Sequence, residues 1–246
     1  MKWQSAIKHY QLYLKIERGL SKNTIQSYTR DLQKLTLFID EHHINSSPIS
    51  ITDDTIQKFI YDIAKQVNPR SQARIISGLR SFFDYLVFED YRQTNPTDLI
   101  ETPKIGRKLP DTLSEFEIQK LIAAIDLSHS QGERNRTILE TMYGCGLRVS
   151  EAITLRISDL FFNEGFIRVL GKGNKERFVP IHQQAQKYIG IYINEIRNKT
   201  KPQKGFEDIL FLNRRGKQLT RQMVFEVDNE NVFELSMLRS NIINNH

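Results

Sequence analysis

Tyr143-Gly144-Cys145-Gly146-Leu147-Arg148-Val149-Ser150-Glu151 is the stretch whose reading decides the fold. Residues 136–143 before it read as a helix, and its two glycines let the backbone take positive φ and turn sharply. Ser150 can cap the helix that follows. Arg148 is therefore expected on a tight loop at a helix start, with Glu151 one turn further on. An arginine held this way suits a phosphate, because its planar fork gives two charge-assisted hydrogen bonds to non-bridging oxygens. Glu151 can steady the guanidinium from behind. The plainer reading is a surface Arg–Glu pair worth less than about 1 kcal/mol.

Working downstream, residues 161–170 and 177–181 alternate or run apolar and β-branched, as strands do. Between them Gly171-Lys172-Gly173-Asn174-Lys175 has the composition of a hairpin turn. Its tip carries Lys172 and Lys175, which can reach a DNA groove. Lys172 lies between glycines and can donate a proton to a leaving alkoxide, as a general acid does. The alternative is a solvated, charged turn. Residues 209–212 are a third strand candidate, and Thr220 is placed to cap a helix through Phe225. Cys145 lies near Arg148 but reads as a small buried side chain. His182 reads as structural or surface, and His42-His43 as a loop pair without metal-spaced partners.

Working upstream, Ser114-Glu115-Phe116-Glu117 has the spacing of a capping box ahead of Leu121-Ile122. Before it, Pro96, Pro103 and Pro110 punctuate a stretch of little periodicity, which predicts an extended connection. The first hundred residues read as helices. In 20–42 the apolar positions Ile25, Tyr28, Leu32, Leu35, Phe38 and Ile39 recur every three or four residues, with Ser21 or Asn23 as cap. Segment 52–67 repeats this with Ile56, Phe59, Ile60 and Ile63, and 71–88 with Ile75, Ile76, Leu79, Phe82, Phe83, Leu86 and Val87. A helix over 6–14 completes a four-helix bundle. The expected organisation is a helical domain and linker over 1–105, a mixed domain over 106–225, and a tail over 226–246.

Composition narrows the function classes. The 246 residues carry 35 Lys and Arg against 29 Asp and Glu, a net charge of +6, which favours a polyanionic partner without requiring one. Residues 1–107 hold 15 basic and 12 acidic side chains and the rest 20 and 17, so neither half is a basic tail on a neutral body. The single Cys145 excludes an internal disulfide and a cysteine-built zinc cluster. No stretch nears the roughly 20 apolar residues of a membrane span, and the N-terminus lacks an apolar signal core. A cytoplasmic protein without a membrane partner is expected.

The two motifs, in this order and about 24 residues apart, resemble the tyrosine recombinase (phage integrase) family, specifically its Xer-like bacterial branch. The 143–151 stretch looks like the loop of the family's first catalytic arginine, and 171–177 with Val179-Pro180 like its catalytic-lysine hairpin. Gly19-Leu20-Ser21-Lys22-Asn23-Thr24 and the helix over 71–86 look like its core-binding helices. The resemblance implies a mainly α fold with a small antiparallel β-sheet in the second domain: an N-terminal four-helix SAM-like bundle and a recombinase catalytic domain, clamped around double-stranded DNA. It makes Arg148 and Lys172 catalytic and Glu151 supporting. Lys22, Arg30, Arg70, Arg74, Arg80 and Lys175 become DNA contacts. It further implies strand breakage and rejoining through a phosphotyrosine, without metal or nucleotide cofactor, in a homo- or hetero-oligomer, with DNA integration or chromosome-dimer resolution as family roles.

The chain departs from that pattern at its end. The family continues past Phe225 with His-x-x-Arg, a further His or Trp and the nucleophilic tyrosine. Residues 226–246 contain no His-x-x-Arg, no Trp and no tyrosine; their one histidine is the terminal His246, and the last tyrosine is Tyr192. The expectation is an incomplete catalytic domain with an aberrant tail, and no cleavage by this chain alone. A non-catalytic DNA-binding regulator occupying recombination sites is the second reading, and a helical protein-interaction module the third.

Overall fold

The computed structural model describes residues 1–106, 112–171, 173 and 175–225. The chain divides into two compact units, Met1–Leu109 and Pro110–His246.

The first unit is four helices: α1 (Trp3–Ile16), α2 (Lys22–Glu41), α3 (Asp53–Ala64) and α4 (Pro69–Phe88). Local chemistry sets their starts. Ser21, not Asn23, caps α2, its hydroxyl accepting the Thr24 N–H. Thr52 caps α3, and Asp53 and Asp54 fill the first turn, where carboxylates complement the helix dipole. α4 begins two residues earlier than the periodicity indicated, because Asn68 caps it through the Ser71 N–H and Pro69 takes a first-turn position. The apolar stripes meet in one core with Tyr10, Leu32, Phe59, Leu79 and Phe82 at its centre. At Gly78 a Cβ would stand 3.2 Å from Asp31 Oδ2 and from Tyr28 Cδ1, so the bare glycine is what lets α4 lie this close to α2.

The second unit opens with α5 (Glu115–Ala123), carrying the expected capping box between Ser114 and Glu117. α6 (Gly132–Cys145) and α7 (Val149–Thr154) follow, then a three-stranded antiparallel sheet, β1 (Leu160–Phe161), β2 (Phe166–Leu170) and β3 (Glu176–Pro180), in sequential order. α8 (Gln183–Ile191) widens into a π-helical turn over Tyr192–Ile196 and then tightens into a 3-10 turn over Arg197–Lys199, and a last helical turn at 221–225 is capped by Thr220. Ile138, Ala152, Leu155, Ile167, Val169, Ile189, Tyr192 and Phe211 form the second core.

Three local expectations are corrected. Residues 161–170 are two strands, because Gly165 at φ +77° turns the chain back after Phe161. Residues 209–212 make only isolated bridges, from Ile209 to Arg156 and from Leu212 to Gln218. Part of their backbone is satisfied by other backbone, the Leu210 N–H on the Leu155 carbonyl, and part by side chains: Arg197 donates to the carbonyls of Ile209 and Leu210, and the Tyr192 hydroxyl accepts the Leu212 N–H. Ser150 lies inside α7, whose N-cap is Arg148. Among the described residues no helix is long and apolar enough to cross a membrane.

Candidate functional site

The site begins where α6 ends. Gly146 takes the left-handed conformation, φ +58° and ψ 40°, and the Leu147 N–H reaches back to the Met142 carbonyl at 2.9 Å. This closes the helix and reverses the chain in one residue. Gly144 is inside α6 and has no positive φ, so one glycine makes the turn rather than two. Arg148 then caps α7 in extended conformation, its N–H held by Glu151 Oε2 at 2.8 Å. Its side chain is 74% exposed, with Nη1 donating to Glu151 Oε1 at 3.1 Å.

Glu151 serves a second cation. Arg177, on β3, grips the same carboxylate with both ends of its fork, Nη1 to Oε1 at 2.8 Å and Nη2 to Oε2 at 3.0 Å. The Glu151 side chain is only 3% exposed. Arg177 holds its carboxyl down at about 2, aided by the Arg148 N–H and side chain against the cost of burial. A surface ion pair is therefore the wrong description: one buried carboxylate carries two guanidinium groups, leaving the cluster net positive. Gly171 completes it. A Cβ there would stand 3.3 Å from Arg177 Nη1 and 3.6 Å from Glu151 Oε1, so glycine lets the base of the hairpin close over the pair.

Lys172 lies outside the described residues, as does Asn174. Around them, the Gly171 N–H bonds the Lys175 carbonyl at 2.8 Å, Gly173 has φ +74°, and Lys175 is exposed.

The first-unit candidates divide by what their side chains already do. Lys22, Arg30 and Arg70 are exposed on α2 and α4. Arg30 Nε donates to the carbonyl of Gln26, one turn back, at 3.3 Å. Arg74 forks onto Asp31 through Nη1 to Oδ2 and Nη2 to Oδ1, and also reaches Ser27 Oγ at 2.6 Å. Asp31 is fully buried, and burial pushes its carboxyl up against the pull of Arg74. Arg80 spends its guanidinium on the carbonyls of Ile100, at 2.9 Å, and Thr97, at 3.5 Å, tying α4 to the segment that leaves the bundle.

Burial raises the Cys145 thiol to about 11, which removes it as a nucleophile. His182 is exposed at the N-cap of α8. The two tyrosines that follow Lys172 are both engaged. Tyr188 stacks under Arg136 at 4.3 Å and accepts from Gln184, and Tyr192 is buried with its hydroxyl on the Leu212 N–H. The expected tail over 226–246 lies outside the described residues.

Arg177 is the residue the motif reading did not single out. Its signal was available in the strand's period of two: on β3, Arg177 and Val179 are half-buried between exposed neighbours.

Comparison with known proteins matches both units. Residues 7–90 match the phage integrase N-terminal SAM-like domain, and residues 111–233 match the phage integrase family. The second match runs eight residues past Phe225, where the motif reading ended it. Tyrosine recombinase XerD of Staphylococcus haemolyticus is 41% identical over 226 residues, covering 91% of this chain and 76% of that protein. XerD of Staphylococcus aureus is 40% identical over 230 residues, covering 93% and 77%. Among solved structures, the XerH site-specific recombinase bound to palindromic difH substrate superposes with TM-score 0.67 at 22% identity, over 87% of this chain and 64% of that one. Lambda integrase (residues 75–356) bound to DNA gives 0.69 at 17% identity, over 94% and 77%. These two show a shared fold. The chain spans about three-quarters of the length of these curated relatives and under two-thirds of the XerH chain.

Proposed function

The chain belongs to the phage integrase family of tyrosine recombinases, and we propose that it is a site-specific recombinase-type protein whose Arg148 loop receives a backbone phosphate of duplex DNA. The observation that carries this reading is the Glu151 carboxylate holding Arg148 and Arg177 together. Two cations on one carboxylate keep a net positive charge, and Arg148 remains mostly exposed to meet an anion. Its fork would neutralise the non-bridging oxygens as charge builds in a pentacoordinate phosphate. Lys172, on the hairpin whose base packs on that cluster, would protonate the leaving 5′-oxygen, and Lys175 would bind an adjacent phosphate. Glu151 acts as a positioning residue.

In the first unit, Lys22, Arg30 and Arg70 are the phosphate or base contacts, with Arg74 oriented by Asp31 to join them. Arg80 is left out of the set, because its guanidinium is committed to backbone carbonyls. Partner subunits on DNA, of the same or a related chain, belong to this reading.

Within these 246 residues the tyrosines after Lys172 are Tyr192, buried with its hydroxyl on the Leu212 N–H, and Tyr188 of α8, whose ring lies under Arg136 and whose hydroxyl accepts from Gln184. The chain by itself is therefore read as binding without cleaving, which also accommodates a regulator that occupies recombination sites. A duplex enriched by the chain from a random-sequence library, rebuilt as a nicked suicide substrate, tests both parts. A retarded but non-covalent complex is expected. A covalent protein–DNA band overturns the non-cleaving part. Absence of duplex binding at low salt overturns the whole and favours a protein-interaction module.

A further inference from the structure

The second unit contains a groove of about 710 Å³ whose charged lining is of one sign, Arg134, Arg214, Arg215 and Lys217, beside His129 and with no carboxylate. Arg134 is only 9% exposed, yet its partners are neutral: Gln131 Oε1, Asn135 Oδ1 at 2.8 Å and the Leu212 carbonyl at 3.2 Å. Burial works most against its charge, with Tyr192 offsetting part of that and the nearby Arg214 adding to it. A buried cation without an anion is costly, and the cost falls when an anion enters. Arg214 Nη2 contacts the His129 ring at Nε2, 3.2 Å away, rather than a carboxylate. The Arg215 and Lys217 side chains are exposed and form no ion pair among the described residues.

The lining also indicates which anion. Its apolar side chain is Met223, and no aromatic ring offers a face for a base to stack on. Arginine forks match the oxygens of a phosphate. The groove is far from the Arg148 loop. Arg134 lies in the first turn of α6 and Arg148 three residues beyond its end, and the helix from Arg134 to Cys145 rises about 16 Å.

We propose that this groove is a second phosphodiester site, which takes a backbone phosphate of the duplex remote from the one Arg148 receives and fixes register without reading bases. It rests on the DNA-binding reading above and extends it to a part of the second unit that neither motif reaches.

The test is the full chain with Arg214→Gln, Arg215→Gln and Lys217→Gln together, beside a charge-matched control with Lys187→Gln, Lys199→Gln and Lys204→Gln, also exposed but off the groove. Binding to duplex DNA is followed by fluorescence anisotropy across a salt series. The groove variant should melt like the wild type and bind about tenfold or more weakly. Its log-affinity against log-salt slope should be shallower by about one per lost phosphate contact, equally on enriched and random duplexes. The control should move the slope by less than one such step. A wild type that binds while the groove variant keeps its slope, or matches the control, overturns the groove alone. Loss confined to the enriched sequence overturns backbone contact in favour of base reading. Displacement of DNA from these residues by a polyglutamate peptide at lower concentration makes the occupant an acidic protein. A wild type that binds no duplex fails the underlying reading, and the groove with it.

Discussion

Arg177 and Glu151, 26 residues apart, meet as a two-point ion pair at 2.8 and 3.0 Å, and through it strand β3 is fastened to the helix that presents Arg148. The arginine loop and the hairpin that carries Lys172 and Lys175 therefore share one anchor. Its two cations are not equivalent. Arg177 is 39% exposed and contacts both carboxylate oxygens, whereas Arg148 is 74% exposed and contacts one through its side chain.

That asymmetry separates folding from binding. Arg177→Ala strips a nearly buried carboxylate of its main partner and should cost about 1–3 kcal/mol in urea unfolding. Arg148→Ala removes an exposed pair member and should cost less than about 1 kcal/mol. The order reverses for DNA: Arg148→Ala should reduce the salt slope by about one contact while the fold is retained. Equal destabilisation by the two substitutions would mean that Glu151 does not prefer Arg177.

Glu151 also predicts how stability responds to acid. Its folded pKa, about 2, lies below the usual glutamate value near 4.3. A depressed carboxylate contributes stability above its unfolded pKa and loses it as pH falls through the folded pKa. The window is thus about pH 4.5 down to 2. After discounting for the solvent-exposed arginines, the contribution is on the order of 2 kcal/mol. Urea midpoints of wild type and Glu151→Gln at pH 7 and pH 3 should differ more at pH 7. A gap that stays constant across that range contradicts the assignment.

The contrast between Glu151–Arg148 and Glu151–Arg177 shows what a sequence reveals and what it hides. The first pair spans one helical turn, so spacing alone brings it together. The second depends on β2–β3 register, Val169 opposite Arg177, which no local rule supplies. Arg74–Asp31 and Arg80–Ile100 were hidden for the same reason. A long cation has many conceivable partners, and only tertiary packing selects one. The helices were legible because apolar spacing and caps are local: Ser21, Thr52 and Ser114 each stand where their hydroxyls are needed. Residues 209–212 misled because their apolar run reports burial, which a strand and an irregular core segment share.

Arg74 needs a compensated variant before any DNA experiment is read. Arg74→Ala leaves the buried Asp31 carboxylate without its counter-ion and should lower stability by about 2–3 kcal/mol, less than for a fully buried pair because Arg74 is itself 42% exposed. Arg74→Ala combined with Asp31→Ser should recover most of that in thermal melts. Weak DNA binding that persists in the recovered double variant assigns Arg74 to the interface. Restored binding makes it structural.

Two glycines should tolerate a side chain to very different degrees. Gly146→Ala meets no atom within 4 Å, so its penalty is the left-handed backbone at φ +58°, about 1–2 kcal/mol. Gly216, at φ +71°, carries the same backbone penalty, and its Cβ would also collide with the Lys201 carbonyl oxygen, which belongs to backbone and cannot swing aside. Gly216→Ala should therefore shift the melting temperature well beyond Gly146→Ala and should disturb the Arg214–Lys217 turn that lines the basic groove. The two substitutions then act on opposite ends of α6: one moves Arg148, the other the groove cations. Comparable melting temperatures for the two variants would show that the turn at Gly216 relaxes freely, and with it the placement of Arg214 and Arg215.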